Sequence, residues 1–309
     1  MPDGPTSKGH FVTSTMRGVF AVPTTPFSPT NTQDLDALRS GVDRVLEAGV
    51  DGILALGATG EALALTTQER EEQVRAVIEH VQGRVPVVVG CMAYDPRDVA
   101  ELIDKARDWG ASAAMVTPPY YGGISAEATV AALEPVFAAS TLPLLFYNNP
   151  HSTGTDVLPA HLEPLAAHDS FWAVKETSGA ASRVRELRAA LPESVEIFVG
   201  ADGLALEGFV QGATGWVAAS AWLAPQECVR LWRLADQGDW AEAVTLWRKL
   251  ATPLGLIEDS SAFISLIKGC LTQLGIEQGP VRPPLPTAAP EEIQAVLTAL
   301  QDVQEVAHA

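Results

Sequence analysis

The sequence has few cysteines, and none is placed to form a disulfide or bind a metal. Cys91, Cys228 and Cys270 are the only three in 309 residues, they are far apart, and no C-x-x-C pair occurs. The six histidines show no H-E-x-x-H or similar spacing. This pattern excludes a disulfide scaffold and gives no support for a built-in metal site, so we expect none. Unpaired cysteines also favour the reducing cytoplasm.

Positive charge and long apolar runs are also scarce. Lys and Arg total 20 against 38 Asp and Glu, a net charge of -18, which opposes binding to a phosphate backbone. No apolar run approaches the roughly 18 residues of a membrane span. We therefore expect neither a nucleic-acid nor a membrane partner. The first 16 residues lack the basic start and apolar middle of a signal peptide, and they predict a flexible tail.

The chain instead has a repeating pattern in which short apolar runs alternate with amphipathic helical patterns. Eight such runs occur, at 19–24, 52–56, 85–90, 113–117, 143–147, 172–175, 195–199 and 215–218. Runs that are apolar throughout, such as VPVVVG, are typical of parallel strands covered on both faces. Eight successive βα units predict an α/β fold, a (β/α)8 TIM barrel, with a doubly wound sheet as the alternative.

After Ala221 the strand patterns end and only helical patterns follow. They occur at 225–237, 240–252, 260–274 and 290–306. We therefore predict three parts: a flexible tail over 1–16, a catalytic barrel over 17–238, and a small C-terminal helical region over 239–309.

Lysine is scarce enough to make each one informative, and Lys175 is the one that ends an apolar run, in FWAVKETSG. TIM-barrel chemistry lies at the carboxyl ends of the strands. A lysine desolvated there has a lowered pKa and can form a Schiff base. The alternative is a lysine that extends to solvent or pairs with Glu176. Lys268, in FISLIKGCL, is a second candidate for the Schiff-base lysine, but its place in the helical region predicts a side chain that extends to solvent.

Two further features lie at neighbouring strand ends. Tyr147 ends the fifth run, where a phenol is placed either to transfer protons or to serve as a core aromatic whose hydroxyl reaches the rim. The segment GATGE at 57–61 follows the second run. A glycine-rich turn of this kind presents free backbone N–H groups to a carboxylate, although many such turns use glycine for geometry alone.

Together these motifs resemble a known family. The matching segments are GVFAVPTTPF (18–27), GATGE (57–61), TPPYY (117–121), YNNP (147–150), VKETSG (174–179) and GATGWVAAS (212–220). They resemble the dihydrodipicolinate synthase and N-acetylneuraminate lyase family of class I aldolases, over roughly 18–286 and in the same order. The resemblance implies a homotetramer built as a dimer of dimers, and no cofactor, because the substrate forms a covalent imine with lysine.

The same resemblance implies roles for individual residues. Lys175 forms the Schiff base with pyruvate or another short 2-oxo acid, and Tyr147 transfers protons. The backbone amides of Ala58 and Thr59 hold the substrate carboxylate, and Thr59 also belongs to the catalytic set. Tyr121 reaches across a dimer interface to complete the hydroxyl relay of its neighbour. The remaining substrate-binding residues it implies are Thr177, Gly200 and Val217.

Departures from the family pattern bear on the substrate. Ala58 stands where the family has Thr or Ser, which removes a hydroxyl from the relay and leaves proton transfer to water or Thr59. Ser152, in PHSTG, stands where dihydrodipicolinate synthases place an arginine for the carboxylate of the aldehyde substrate. Gly203 and Ala219 stand where the N-acetylneuraminate lyase branch has hydroxyl-binding Glu and Ser, although Thr177 and Asp202 remain. Trp216 either narrows the pocket or packs between barrel and helix.

These departures favour an aldolase or dehydratase for a 2-oxo-3-deoxy sugar acid or another short hydroxy-oxo acid. Two alternatives stay open. One is dihydrodipicolinate synthase proper, that is, 4-hydroxy-tetrahydrodipicolinate synthase. The other is a non-catalytic barrel that binds 2-oxo acids, which the missing hydroxyl at Ala58 suggests.

Overall fold

The computed structural model describes residues 16–307, and its centre is a closed barrel of eight parallel strands. The strands are β1 Gly18–Ala21, β2 Gly52–Ala55, β3 Val87–Gly90, β4 Ala113–Val116, β5 Leu144–Asn148, β6 Phe171–Glu176, β7 Glu196–Val199 and β8 Gly215–Ala218. Each strand pairs with the next, and β8 pairs with β1. This confirms the predicted TIM barrel and rules out the doubly wound sheet. The predicted tail lies outside the described residues except for Met16.

Helices surround the barrel and continue beyond it. They are α1 Leu35–Glu47, α2 Thr67–Val81, α3 Pro96–Trp109, α4 Ala126–Ala139, α5 Pro150–Thr153, α6 Glu163–Ala166, α7 Arg183–Ala190, α8 Ala205–Val210, α9 Pro225–Gln237, α10 Trp240–Glu258, α11 Phe263–Gln273 and α12 Pro290–Ala307. The sequence missed α5, α6 and α8, which have four, four and six residues and so show less than two turns of periodicity. No helix in the described range is both long and apolar enough to span a membrane.

One helix boundary was wrong in a way that matters for the site. We expected the helix that begins at Trp240 to end at Thr252, immediately before Pro253, because an interior proline removes a backbone hydrogen bond. The structure instead keeps Pro253 buried inside α10 and continues the helix to Glu258. The last turn of α10 therefore extends to the carboxyl end of the barrel.

Local signals explain where several helices begin and end. The Asp34 side chain accepts from the Ala37 amide at the start of α1, and Thr66 and Glu69 form a reciprocal capping box at the start of α2. Gly110 ends α3 with a φ of 96°, a left-handed conformation that glycine adopts without steric cost.

Aromatic rings fill the barrel interior below the strand ends. Phe20 and Phe198 pack edge to face with centroids 5.2 Å apart, and Trp172 lies 5.5 Å from Phe198. Gly215, on the neighbouring strand β8, leaves space for the Phe198 ring, since a Cβ at Gly215 would lie 2.6 Å from Cδ1 of Phe198. This packed layer closes the barrel from beneath and leaves its open end for a cavity.

The C-terminal helices are fastened to the barrel by a buried ion pair. Lys268 of α11 lies 3.0 Å from the Glu61 carboxylate and also donates to the backbone oxygens of Thr25 and Pro280. Its side chain is 2% exposed, so the expectation that Lys268 extends to solvent was wrong. A lysine this deep needs an acidic partner, and Glu61 supplies one from the GATGE turn. The division into a barrel over 17–238 and a C-terminal region over 239–309 stays a proposal.

Candidate active site

Lys175 lies inside the open end of the barrel. Its register partners are Tyr147 on β5 and Phe198 on β7, and register partners on neighbouring strands face the same way. Phe198 packs on Phe20 across the interior, so Lys175 also points inward. Its Nζ lies 4.1 Å from the centroid of the Tyr147 ring, and the residue is only 8% exposed.

The alternative in which Lys175 extends to solvent or pairs with Glu176 is wrong. None of the ion pairs between described residues includes Lys175. Glu176 instead accepts from the Asn148 side chain at 3.0 Å and the Ser178 amide at 2.6 Å. Lys175 is thus neither extended to solvent nor paired with its neighbour, and its amine faces the cavity.

Tyr147 is held by Asn149, a residue that the sequence patterns did not single out. The Asn149 side-chain amide donates to the Tyr147 phenol oxygen at 2.8 Å, and both residues line the cavity. Because the phenol oxygen accepts this bond, its own proton remains free to point elsewhere. The signal was present in the YNNP motif, in which Asn149 lies two residues beyond Tyr147.

The turn after β2 presents two free amides to the same cavity. Leu56 and Glu61 adopt positive φ values of 57° and 55°, which bend the chain sharply on either side of Ala58 and Thr59. Within the described residues, the backbone N–H groups of Ala58 and Thr59 donate to no acceptor. Adjacent amides of this kind suit a carboxylate. The two unpaired amides therefore agree with the interpretation of GATGE as an anion-binding turn.

Gly200 makes room for the groups around Lys175. A Cβ at this position would lie 2.7 Å from Lys175 Cε and would overlap the Thr177 hydroxyl. That hydroxyl is buried and has no hydrogen-bond partner within the described chain, which leaves it free for a ligand. Val217, on β8, is buried and lines the cavity as well.

A buried polar network fixes the loops that follow β5 and β6. Asn148 donates to both Asp156 and Glu176, at 2.9 and 3.0 Å, and Arg183 forms two bonds to the Asp156 carboxylate. Hydrogen bonds from Arg183 lower the pKa of Asp156. The network joins the YNNP and VKETSG motifs, so the strand ends carrying Tyr147 and Lys175 are held at a fixed separation.

Asp202 and Trp216 form a hydrogen-bonded pair at the wall of the cavity, where Asp202 is one of the lining residues. The buried Asp202 carboxylate accepts from Trp216 Nε1 and the Ser220 amide, both at 2.8 Å, and burial raises its pKa. The Trp216 ring is fully buried and lies 6.0 Å from Phe209 of α8. Of the two alternatives for Trp216, packing between barrel and helix is therefore the one observed.

The far wall comes from the C-terminal region, which the sequence did not reveal. The cavity has a volume of about 580 Å³, and on this side it is bounded by 258–259, 261–265, Leu285 and Pro286. Glu258 accepts from the Gly203 amide at 2.6 Å, across 55 residues of sequence. The surrounding protein and the nearby negative charge of Asp202 raise the pKa of Glu258 to about 7. No short-range pattern links these two positions, which is why Glu258 was missed.

The predicted site residues are thus brought together with one exception. The cavity is lined by Lys175, Tyr147, Ala58, Thr59, Thr177, Gly200 and Val217. Tyr121 lies apart from it, 79% exposed beyond the end of β4. Its predicted role in a neighbouring subunit stays a prediction. Over residues 16–307, no three His, Cys, Asp or Glu side chains are grouped closely enough to hold a metal ion.

Comparison with known proteins identifies the family of this chain. The model of the dihydrodipicolinate synthetase family matches residues 15–303. The chain belongs to this family. It is 32% identical to 4-hydroxy-tetrahydrodipicolinate synthase of Methylococcus capsulatus over 287 residues, which are 93% of this chain and 98% of that protein. The predicted family and enzyme class, a class I aldolase or lyase, are thereby confirmed.

Solved structures of the family superpose closely on the chain. The 4-hydroxy-tetrahydrodipicolinate synthase of Methylacidiphilum fumariolicum SolV gives a TM-score of 0.89 at 27% identity, covering 94% of this chain and 96% of that one. The chloride-inhibited dihydrodipicolinate synthase of Acinetobacter baumannii, complexed with pyruvate, gives 0.87 at 28% identity, covering 93% and 98%. The family resemblance therefore extends to the whole fold.

Proposed function

We propose that the protein is a Schiff-base-forming lyase, an aldolase or dehydratase, that acts through Lys175 on pyruvate, another short 2-oxo acid or a 2-oxo-3-deoxy sugar acid. The observation that carries this proposal is the buried amine of Lys175 beside the Tyr147 phenol, in one cavity with the free amides of Ala58 and Thr59. No metal or separate cofactor takes part in the proposed chemistry.

The reaction follows from these groups. The amide pair binds the carboxylate of the 2-oxo acid, which brings C2 to Lys175. The neutral amine adds to the carbonyl carbon, and loss of water gives an iminium ion. The iminium withdraws electrons from C3, so that a C3 proton or the C3–C4 bond is released with formation of an enamine. Tyr147, held by Asn149, donates and accepts the protons of these steps.

The other lining residues shape the site. We propose that water or Thr59 substitutes for the hydroxyl that Ala58 lacks. We assign the unpaired Thr177 hydroxyl to a substrate oxygen, and Gly200 and Val217 to the walls around the carbon chain.

The test is borohydride trapping with pyruvate, followed by peptide mass mapping. We expect a reduced pyruvyl adduct on Lys175 and none in Lys175→Ala. Lys249→Ala is the matched control, because Lys249 is on α10 and, within 16–307, its Nζ makes one hydrogen bond, to the Asp302 backbone oxygen at 3.4 Å. The absence of an adduct on Lys175, or its persistence elsewhere in Lys175→Ala, would overturn the proposal.

The relatives' names favour a second candidate, 4-hydroxy-tetrahydrodipicolinate synthase proper. Against it, the position expected to carry an arginine for the second substrate's carboxylate holds Ser152, beside His151, and both line the cavity. The two candidates are distinguished by supplying pyruvate with either aspartate 4-semialdehyde or glyceraldehyde. Condensation with the first alone would favour the synthase, and condensation with the second would favour a sugar-acid aldolase.

The non-catalytic alternative rests on Ala58, and turnover distinguishes it. An enzyme releases pyruvate from 4-hydroxy-2-oxo acids at steady state, whereas a binding barrel forms the adduct and stops. Activity that appears only in Ala58→Thr would favour the binding barrel.

We further propose a cytoplasmic homotetramer in which Tyr121 enters the site of a neighbouring subunit. The exposed Tyr121 ring, 79% accessible, supports an interface at this place. One solved relative is described as a monomeric variant, so assembly needs its own test. Light scattering should give four subunits, and Tyr121→Phe should lower turnover while leaving that mass unchanged.

A further inference from the structure

We propose that Glu258 determines specificity by restricting the cavity to 2-oxo acids whose far end is neutral and hydroxylated. The inference rests on the proposed function, because Lys175 and the amides of Ala58 and Thr59 are taken to hold the 2-oxo acid end. It adds a role for the C-terminal region, which supplies Glu258 at the end of α10.

Acidic side chains outnumber cationic ones around the cavity. Lys175 is the single lysine or arginine among the described lining residues, and the proposed imine occupies its amine. Three carboxylates also line the cavity: Asp202, which lies near Lys175, and Glu258 and Asp259, which belong to the C-terminal region. A second carboxylate on the substrate would therefore meet negative charge with no cation to pair with, which costs binding energy.

The neutral polar groups of the lining fit hydroxyls. Ser261 and Ser265 line the cavity from the C-terminal region, as Glu258 does, and Ser152 lines it from α5. His151 contacts the Ser178 backbone oxygen at 3.1 Å, so one of its ring nitrogens is already engaged. Serine hydroxyls and a carboxylate are a suitable set for a substrate that both donates and accepts hydrogen bonds.

Gly203 fixes the position of Glu258. The Gly203 amide donates to Oε2 at 2.6 Å, and a Cβ at Gly203 would lie only 2.7 Å from the same oxygen. Glycine therefore permits a close approach that another residue would obstruct. A carboxylate accepts several hydrogen bonds, so the bond to Gly203 leaves capacity for a substrate hydroxyl.

A purely structural role for Glu258 is distinguishable from this one. If Glu258 only anchors the loop after β7, glutamine in its place keeps a side-chain acceptor for the Gly203 amide and changes nothing about substrate choice. If Glu258 selects by charge, glutamine removes the repulsion while keeping the shape.

The experiment uses two probes of equal carbon number, 5-hydroxy-2-oxopentanoate and 2-oxoglutarate, which differ in the terminal group. Each is captured on Lys175 by cyanoborohydride reduction, and half-saturating concentrations are compared with that of pyruvate in the same variant. We expect the wild type to prefer the hydroxylated probe by about tenfold at pH 8, because the ionised Glu258 repels the terminal carboxylate of 2-oxoglutarate. In Glu258→Gln the ratio should fall towards one, and in the control Glu242→Gln, an exposed carboxylate in the first turn of α10, it should stay at the wild-type value.

A pH series gives a second readout. Burial raises the pKa of Glu258, and the negative charges of Asp202, from the turn after β7, and of Asp259, next in the chain, raise it further. Asp202 in turn interacts with the positive charge of Lys175. Protonation of Glu258 as the pH falls from 8 to 6 should narrow the wild-type preference. The ratio in Glu258→Gln should change much less over that range.

The outcomes separate the two proposals. Failure to trap pyruvate on Lys175 would overturn the proposed function itself. Trapping of pyruvate, with equal capture of the two probes by the wild type or an unchanged ratio in Glu258→Gln, would overturn the role of Glu258 and leave the lyase proposal standing. Capture of pyruvate but not of the hydroxylated probe would also count against that role.

Discussion

Replacing Gly200 by alanine tests whether the space around Lys175 is as tight as the structure shows. The added Cβ would lie 2.7 Å from Lys175 Cε and 2.9 Å from Cγ, and it would overlap the Thr177 hydroxyl. Backbone movement is opposed by the Gly200 amide, which donates to the Glu176 backbone oxygen at 2.8 Å. The side chains of Lys175 and Thr177 must therefore move.

The size of the effect follows from the displacement needed. Carbon atoms in favourable contact are about 3.5–4.0 Å apart, so the lysine methylene has to move by roughly 1 Å. A misplacement of that size at a reacting group costs about 10²-fold in rate. Overpacking of this kind also costs roughly 1–3 kcal/mol of stability, which leaves a folded protein.

The assay is the rate of borohydride trapping with pyruvate in Gly200→Ala, together with urea denaturation. Gly255→Ala is the matched control, because a Cβ there meets no atom within 4 Å and alanine favours the interior of α10. The control should trap at the wild-type rate and gain up to about 1 kcal/mol. A wild-type trapping rate in Gly200→Ala would refute the steric argument and the placement of Lys175 with it.

Three further predictions concern proton transfer and stability. Tyr147→Phe should lower steady-state turnover by roughly 10² to 10⁴-fold while the imine still forms, as followed by pyruvate release beside trapping; an unchanged turnover would assign the proton to another group. Lys268→Met should destabilise the fold by about 3–5 kcal/mol in urea denaturation, because the Glu61 carboxylate is left buried without its partner. Adding Glu61→Gln should recover part of the lost stability. A Lys268→Met protein as stable as the wild type would contradict the ion pair. Hydrogen bonds from Arg282 lower the pKa of Glu69 from 4.5 to about 2, so Glu69→Gln should cost about 2 kcal/mol of stability at pH 7 after allowance for partial exposure. This contribution is present above pH 4.5 and is lost as the pH falls towards 2. A difference in unfolding free energy between wild type and variant that stays constant between about pH 6 and pH 3 would refute it.

The barrel could be predicted from sequence because its strands are covered on both faces. Each strand is short and almost wholly apolar, and Gly or Pro stands nearby, so eight separate runs were visible. The same reasoning identified Lys175, since a charged residue at the end of a buried strand contrasts with its surroundings. Tyr147 and the 57–61 turn followed from the rule that chemistry lies at the carboxyl ends of barrel strands.

What the sequence did not show depends on contacts between distant segments. Lys268 was expected to extend to solvent, because nothing near it in the chain reveals that Glu61 is its partner. Glu258 gave no signal, since Pro253 placed the end of its helix too early and Gly203 is far away in the sequence. The role of Asn149 depends on how a single hydrogen bond is directed, which periodicity does not encode.

The bond between Glu61 and the C-terminal helices has a consequence for how this barrel can be recombined. Glu61 closes the turn that carries the free amides, and its carboxylate is shared by the Lys268 side chain and the backbone amide of Arg282. A hybrid protein joined after 238 would keep the turn and replace both of its anchors. In such a hybrid, the 57–61 turn keeps its carboxylate-binding conformation only if the second parent protein supplies a lysine at the position of Lys268. The GATGE turn and the C-terminal region over 239–309 must therefore be inherited together, although more than two hundred residues separate Glu61 from Lys268.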